Sequence, residues 1–256
     1  MNKKIYLCLF SCFAVHAQAG NWSLGGGALV NANPYTSMKT NILPIPFISY
    51  QGKAFSLYGP IAKLRLPLNR QNIIGLRLQL GMQTFDPGET TDPQMKLLNE
   101  RKRLFFLGPY YRYRSPFGQF TAGAVYDVSQ RSHGGTILDI NYAYPFFSSN
   151  RKFYIRPGVG GSWFNKKYSQ HYYSISQAES GRSSLPTFQS KDFFQPYASL
   201  FAGIQLTERL FWTNVIRLNY MVDKVYKSPM VDKRVTYSLI TGITYEIGDK
   251  NQRFNH

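Results

Sequence analysis

Cysteine is nearly absent from this chain. Cys8 and Cys12 both fall within the first nineteen residues, and none follows. The remainder therefore has no disulfide framework and no thiol metal site. Long apolar runs are also missing. Nothing beyond the N-terminus approaches the roughly 20 consecutive apolar residues of a membrane-spanning helix. Carboxylates are scarce, with 13 Asp and Glu against 30 Lys and Arg, for a net charge of +17. With four histidines in all, the supply of general bases is small, and no metal-ligand spacing or phosphate-cradling glycine loop appears. No catalytic residue, cofactor site or metal site is assigned.

The N-terminus sets the context. Lys3 and Lys4 precede an apolar stretch from Ile5 to Val15, and Ala17-Gln18-Ala19 forms a small-residue cleavage site. This is the order of a secretory signal peptide over residues 1–19. Leu9-Phe10-Ser11-Cys12 has the outline of a lipoprotein box, but the apolar run before it is too short for that use. Removal of the signal, which holds two lysines and no acid, leaves about +15 on the mature chain. Such a surplus suits anionic partners. Export and the lack of a nucleic-acid-binding motif argue against nucleic acid. Outer-membrane lipid and lipopolysaccharide phosphates are the expected counterparts.

What remains is rich in aromatic residues, 19 Tyr and 19 Phe, and alternates in polarity. Side chains of a strand point to opposite faces in turn. In the segment 235–247, Val235, Tyr237, Leu239, Ile243, Tyr245 and Ile247 share one face; Thr236, Ser238, Gly242, Thr244 and Glu246 share the other. Leu76, Leu78 and Leu80 alternate with Arg77 and Gln79; Leu138, Ile140 and Tyr142 with Asp139 and Asn141; Ile216 and Leu218 with Arg217 and Asn219. Strands are expected at 21–30, 44–51, 54–67, 72–85, 102–114, 117–130, 134–146, 152–166, 193–206, 209–222 and 235–247. Short polar links at 68–71, 115–116, 148–150 and 207–208 alternate with long segments at 86–101, 167–192 and 223–234. That rhythm, behind an export signal, predicts an all-β fold: an antiparallel transmembrane β-barrel of the outer-membrane type. A soluble β-sandwich or lipocalin-like barrel would bury the apolar face and is disfavoured by the charges interleaved with it. Loop parity favours ten strands, with twelve as the alternative, because such barrels have even numbers. The barrel is expected over 20–248, with a polar tail at 249–256. Charges are costly toward lipid, so Arg77, Asp139, Arg156, Arg217 and Glu246 are expected in the lumen.

Three stretches exceed what a generic barrel demands. Phe85-Asp86-Pro87-Gly88-Glu89 runs on to Leu97-Leu98-Asn99-Glu100-Arg101. His171-Tyr172-Tyr173-Ser174-Ile175-Ser176 precedes Glu179-Ser180-Gly181-Arg182-Ser183-Ser184-Leu185. Ser228-Pro229-Met230-Val231-Asp232-Lys233 precedes the last strand. Together with Leu43-Pro44-Ile45-Pro46 and Tyr144-Pro145, they resemble the MipA/OmpV family of outer-membrane proteins, along essentially the whole chain after the signal. The resemblance implies a non-enzymatic barrel in the outer membrane of a Gram-negative cell envelope. It implies a scaffold role in peptidoglycan remodelling, joining a murein lytic transglycosylase to a bifunctional penicillin-binding protein; other members are described as adhesins or porin-like proteins. It brings no catalytic residues. The chain departs from the family at its end, where Ile247 replaces a terminal aromatic and nine residues follow. Glu179, Arg182, Ser228, Pro229, Asp232 and Lys233 are the candidate motif residues of the loops, either for docking a partner or for bracing the loops, with Glu179 and Arg182 as a candidate ion pair. A small anion-favouring pore and a surface-binding barrel are the alternatives. A lipid hydrolase would need His133 or His171 beside a serine.

Overall fold

The computed structural model describes residues 20–148 and 152–247. The expected signal peptide and the tail at 249–256 lie outside the described residues. Twelve strands form the wall: β1 Asn21–Asn31, β2 Asn41–Gln51, β3 Phe55–Tyr58, β4 Ile61–Pro67, β5 Asn72–Leu80, β6 Phe105–Ser115, β7 Gly118–Asp127, β8 Thr136–Ala143, β10 Phe153–Phe164, β11 Phe193–Gln205, β12 Leu210–Tyr220 and β13 Val235–Ile247. Each pairs antiparallel with the next, and β13 pairs back onto β1, with Trp22 opposite Ile247 and Asn31 opposite Ser238. The ring is closed. A two-residue strand, β9 at Phe146–Phe147, continues the register of β8 along β10 after an interruption at Tyr144-Pro145.

The ten-strand count is thus corrected to twelve: all eleven expected segments stand in the wall, the first as β1, and one turn splits one of them in two. The segment 54–67, read as a single strand, is the hairpin β3–β4. Its turn is Gly59-Pro60, with Gly59 at φ +51, a left-handed conformation that glycine adopts without penalty. Polarity alternates on both sides of the turn without a polar linker, so the hydrophobic pattern gave no sign of it.

The β3–β4 hairpin is short. It covers only Ser49–Gln51 of β2. Above that point β2 pairs with β1 alone, and its other edge makes no backbone–backbone hydrogen bond among the described residues beyond Gly59 N–H to Ile48 O, 3.1 Å. Pro44 and Pro46 share the parity of Ile48, so their ring nitrogens face this free edge. Proline is tolerated there because no N–H is called for.

Outward side chains are apolar and exposed, among them Leu76, Leu78, Leu138, Ile140, Trp212, Leu218, Ile243 and Tyr245. Polar groups on this surface satisfy one another. Trp212 Nε1 donates to Thr241 Oγ1 at 2.9 Å, and Thr241 donates to Asn214 Oδ1 at 2.7 Å. The buried hydrophobic core lies at the long-loop end of the barrel. Phe106, Val125, Phe164 and Phe193, from the ends of four wall strands, pack there with side chains of the loops. In an outer-membrane barrel the long-loop end is extracellular and the short-turn end periplasmic.

The hairpin is directly testable, because residues 20–256 lack cysteine. Leu57 and Ala62 face each other across β3–β4. Leu57→Cys with Ala62→Cys is expected to oxidise to a disulfide in the folded barrel, seen as loss of thiol labelling. In one continuous strand the two would stand about 17 Å apart, beyond the roughly 7 Å limit for bridging.

Candidate functional site

The three motif stretches converge on one structure, a cap of loops over the extracellular mouth. The first lies in the β5–β6 loop, with short 3₁₀ turns at Pro87–Glu89 and Met95–Leu97. The second forms α1 (Lys166–Tyr173) and α2 (Gln177–Ser183) between β10 and β11. The third follows α3 (Asp223–Tyr226) between β12 and β13. Tyr35, Phe85, Met95, Tyr172, Tyr173, Val225 and Met230 are buried together at the centre.

Glu179 is the polar pivot of the cap. Asn165 caps α1 by accepting from Tyr168 N–H. Ser176 and Glu179 form a reciprocal capping box on α2, which satisfies two orphan amides of the first turn. Glu179 then reaches outside its helix. Its Oε1 accepts from Arg101 Nη2 at 2.6 Å and from Asn99 N–H at 3.0 Å. Both side chains are shielded, at 11% exposure for Arg101 and 3% for Glu179. This corrects the expected pairing with Arg182, which instead donates to Asn99 Oδ1 at 2.8 Å. Arg101 is closer in space than in sequence, so local spacing could not identify it. Burial alone would raise the Glu179 carboxyl. The bonds from Ser176 and Asn99 and the Arg101 charge outweigh it and hold the group below the usual carboxylate range.

The third motif ties the cap to the rest. Ser228 is buried, donates to Tyr173 O at 2.7 Å and accepts from Met230 N–H at 3.3 Å. Pro229 sits between these two anchors. Asp232 Oδ2 accepts from Ser37 N–H at 3.3 Å. Lys233 Nζ donates to Asn33 O at 3.0 Å and Met38 O at 3.2 Å. Tyr173 Oη donates to Gln83 Oε1, and Gln83 donates to Tyr35, each at 3.0 Å. Every motif residue singled out in the sequence thus has a bracing contact within the cap or, like Pro229, lies between two that do.

Among the described residues, no hydrogen bond joins His133 or His171 to a serine side chain. His171 Nε2 lies 3.0 Å from Lys102 O, and burial lowers its pKa despite that bond. His133 occupies a left-handed turn at φ +53, and the neighbouring Ser132 hydroxyl donates to Asp127.

Below the cap, the register directs Arg77, Asp139, Arg156, Arg217 and Glu246 inward. Three of them are brought together. Asp139 accepts from Ser162 at 2.7 Å and from Tyr197 at 3.1 Å, and Arg217 Nη2 donates to Ser162 at 2.9 Å while its guanidinium stacks 3.5 Å from the Tyr197 ring centroid. Arg77 lies within electrostatic reach of Asp139. They line a chamber of about 230 Å³ under the cap. Arg156 and Glu246 stand apart from this network, with Glu246 accepting from Asn21 at 2.9 Å. Lys63, Arg65, Arg112 and Arg114 are also inward by register and are not among the residues expected from the sequence. Their two-residue spacing, Lys63-Leu64-Arg65 and Arg112-Tyr113-Arg114, was a legible sign of a shared face.

Breaking the Glu179 pair is expected to loosen the cap while leaving the wall intact. Glu179→Gln strands a buried guanidinium, a loss on the order of 3 kcal/mol. Hydrogen exchange should rise in 92–101 and 174–185 and stay unchanged in β10–β13. The carboxylate is favoured in the folded cap, so its contribution is complete above the ordinary carboxylate range and is lost as pH falls below it. Cap protection should accordingly drop on acidification in the native chain and drop less over that range in Glu179→Gln, where only the other cap carboxylates, such as Asp223, still respond.

The family model described as "MltA-interacting protein MipA" matches residues 24–247. The chain is 29% identical over 236 residues to the MltA-interacting protein of Escherichia coli (strain K12), covering 92% of this chain and 94% of that one. It is 26% identical over 245 residues to a protein of the same strain named "Putative outer membrane protein YiaT", covering 96% and 98%. Among solved structures it is similar to the CymD monoaromatic hydrocarbon channel (TM-score 0.36, 10% identity, 92% and 90% covered) and to OmpT of Vibrio cholerae (TM-score 0.35, 6% identity, 90% and 100% covered). At those scores neither carries an argument about function. The relatives are named for an interaction or for a place in the outer membrane, and the family match runs from β1 to the last residue of β13: this outer-membrane β-barrel belongs to the MltA-interacting protein family, MipA.

Proposed function

We propose that this barrel is a non-enzymatic interaction protein of the outer membrane that engages a murein lytic transglycosylase from its periplasmic end and links it to a bifunctional penicillin-binding protein. The observation that carries this reading is the cap. A conduit needs a free mouth, and here four loops, the three that carry the motifs and the β1–β2 loop with Tyr35 and Met38, fill the mouth with a buried aromatic core braced by Glu179, Ser228 and Lys233. A barrel plugged by its own loops serves as an anchored platform. The name of the relative in Escherichia coli supplies the transglycosylase. The penicillin-binding protein follows from the family resemblance alone.

The periplasmic links are short, as at Leu68–Gln71 and Leu206–Arg209. A standard interface takes about 800 Å² from each partner, so docking must use the barrel rim as a whole, with any chain that continues from it. The basic lumen favours the anion-pore alternative, and the cap opposes it. The same reading takes residues 1–19 as a signal removed on export.

Two measurements test the proposal. Affinity capture of the epitope-tagged barrel from detergent-solubilised envelopes, against an unrelated barrel, is expected to enrich a lytic transglycosylase. Absence of any such enzyme, with the barrel shown to be folded, removes the scaffold. In planar bilayers the native barrel is expected to give no sustained conductance. Steady anion-selective steps would instead install the pore.

A further inference from the structure

The charges of the lumen are not evenly balanced along its axis. In the upper half Arg77 and Arg217 face Asp139. From the level of Arg77 downward, Lys63, its register partner, and Arg65 from β4, Arg112 and Arg114 from β6, and Arg156 from β10 meet one another. Lys63 feels Arg112, then Arg77, which stands opposite it across β4–β5, then Arg156 and Arg65; Arg112 feels Arg114, Arg156 and Arg65; Arg114 feels Arg156. None of the five forms an ion pair with a carboxylate among the described residues. Their partners are weak or neutral. Lys63 and Arg112 sit 5.7 and 5.8 Å from the ring centroid of Tyr110, and Arg156 sits 5.2 Å from that of Phe201. Arg114 reaches Gln119 at 3.4 Å, and Arg65 reaches the Gly52 carbonyl.

Donors in this cup are also unspent. The Nε groups of Arg65 and Arg112 and the hydroxyl of Tyr110 are buried without a hydrogen-bond partner. Tyr110 is only 4% exposed. Its ring is admitted by Gly75, where a Cβ would lie 2.8 Å from it. Like charges gathered without counter-ions, with idle donors among them, destabilise a fold unless something offsets them. Guanidinium forks match the paired oxygens of phosphates and carboxylates.

We propose that the lower lumen is a binding site for a compact, multiply charged oxyanion that enters in solution from the periplasmic end, held by Lys63, Arg65, Arg112, Arg114 and Arg156 with Tyr110 Oη as a neutral donor. The site faces the lumen and not the lipid, so a soluble anion is its ligand. It is independent of the proposed enzyme partners, since it needs neither of them.

The test is isothermal titration of the folded barrel, in uncharged detergent at low salt, with sodium pyrophosphate and separately with citrate. Saturable binding of either anion near one per chain is expected, weakening as sodium chloride is raised. Arg112→Gln combined with Arg156→Gln is expected to lose at least about tenfold in affinity, whereas Arg70→Gln, in the exposed β4–β5 turn, keeps the native value. The double variant should also unfold later than the native barrel in the absence of anion, and gain nothing from pyrophosphate that stabilises the native chain. Should the double variant fail to fold, Tyr110→Phe removes one donor without altering charge and is expected to bind several-fold more weakly. No saturable heat with either anion, or native affinity in the folded double variant or in Tyr110→Phe, overturns the site.

Discussion

Everything in this molecule rests on the hydrogen bonds between its first and last strands. In hydrocarbon an unpaired backbone amide or carbonyl costs several kcal/mol, because no water is there to take it. Pairing of β13 with β1 over ten residue pairs removes the two edges that the first and last strands would otherwise leave, so that only the upper flank of β2 stays open among the described residues. Only a closed wall can hold charged side chains inside and Leu, Ile and Trp outside without penalty. The inward direction of Arg77, Arg217 and Asp139 is therefore a consequence of closure, as is the existence of a mouth for the loops to fill.

The cap divides the labour differently from a water-soluble barrel. In a soluble protein the oily core lies between sheets; here the lumen carries the charge and the oily core is displaced to one end. It is built from residues far apart in sequence, such as Tyr35, Phe85, Tyr172 and Met230. Its polar contacts run the same way: Lys233 holds the carbonyls of Asn33 and Met38, and Glu179 holds Arg101. These links span the barrel mouth from several directions, so the loops behave as one folded unit. That arrangement sets the functional reading, because a fixed cap and a freely conducting channel are opposed designs.

Legibility in the sequence followed the range of the interaction. Alternation is local, so the two faces of β5, β8, β12 and β13 could be read from the chain. The capping box at Ser176 and Glu179 is also local, and its motif stood out. Arg101 as the partner of Glu179 is 78 residues away, and nothing nearby points to it. Gly59-Pro60 was lost for another reason: a two-residue turn between two strands of matching polarity leaves the pattern of one long strand. The basic cup was missed because its members lie on separate strands, and only the register shows that Lys63, Arg112 and Arg156 share a space.

The free edge of β2 gives the wall a direction. A ring of uniform pairing resists distortion equally all round, but this one has a stretch, from Asn41 to Phe47, where a strand is held on one flank only. With prolines at 44 and 46, that flank cannot easily recruit a passing strand, which protects it from mispairing. The barrel is thus mechanically anisotropic. Backbone hydrogen bonds resist displacement on one side only along this stretch of β2, and on both sides along its neighbour β1.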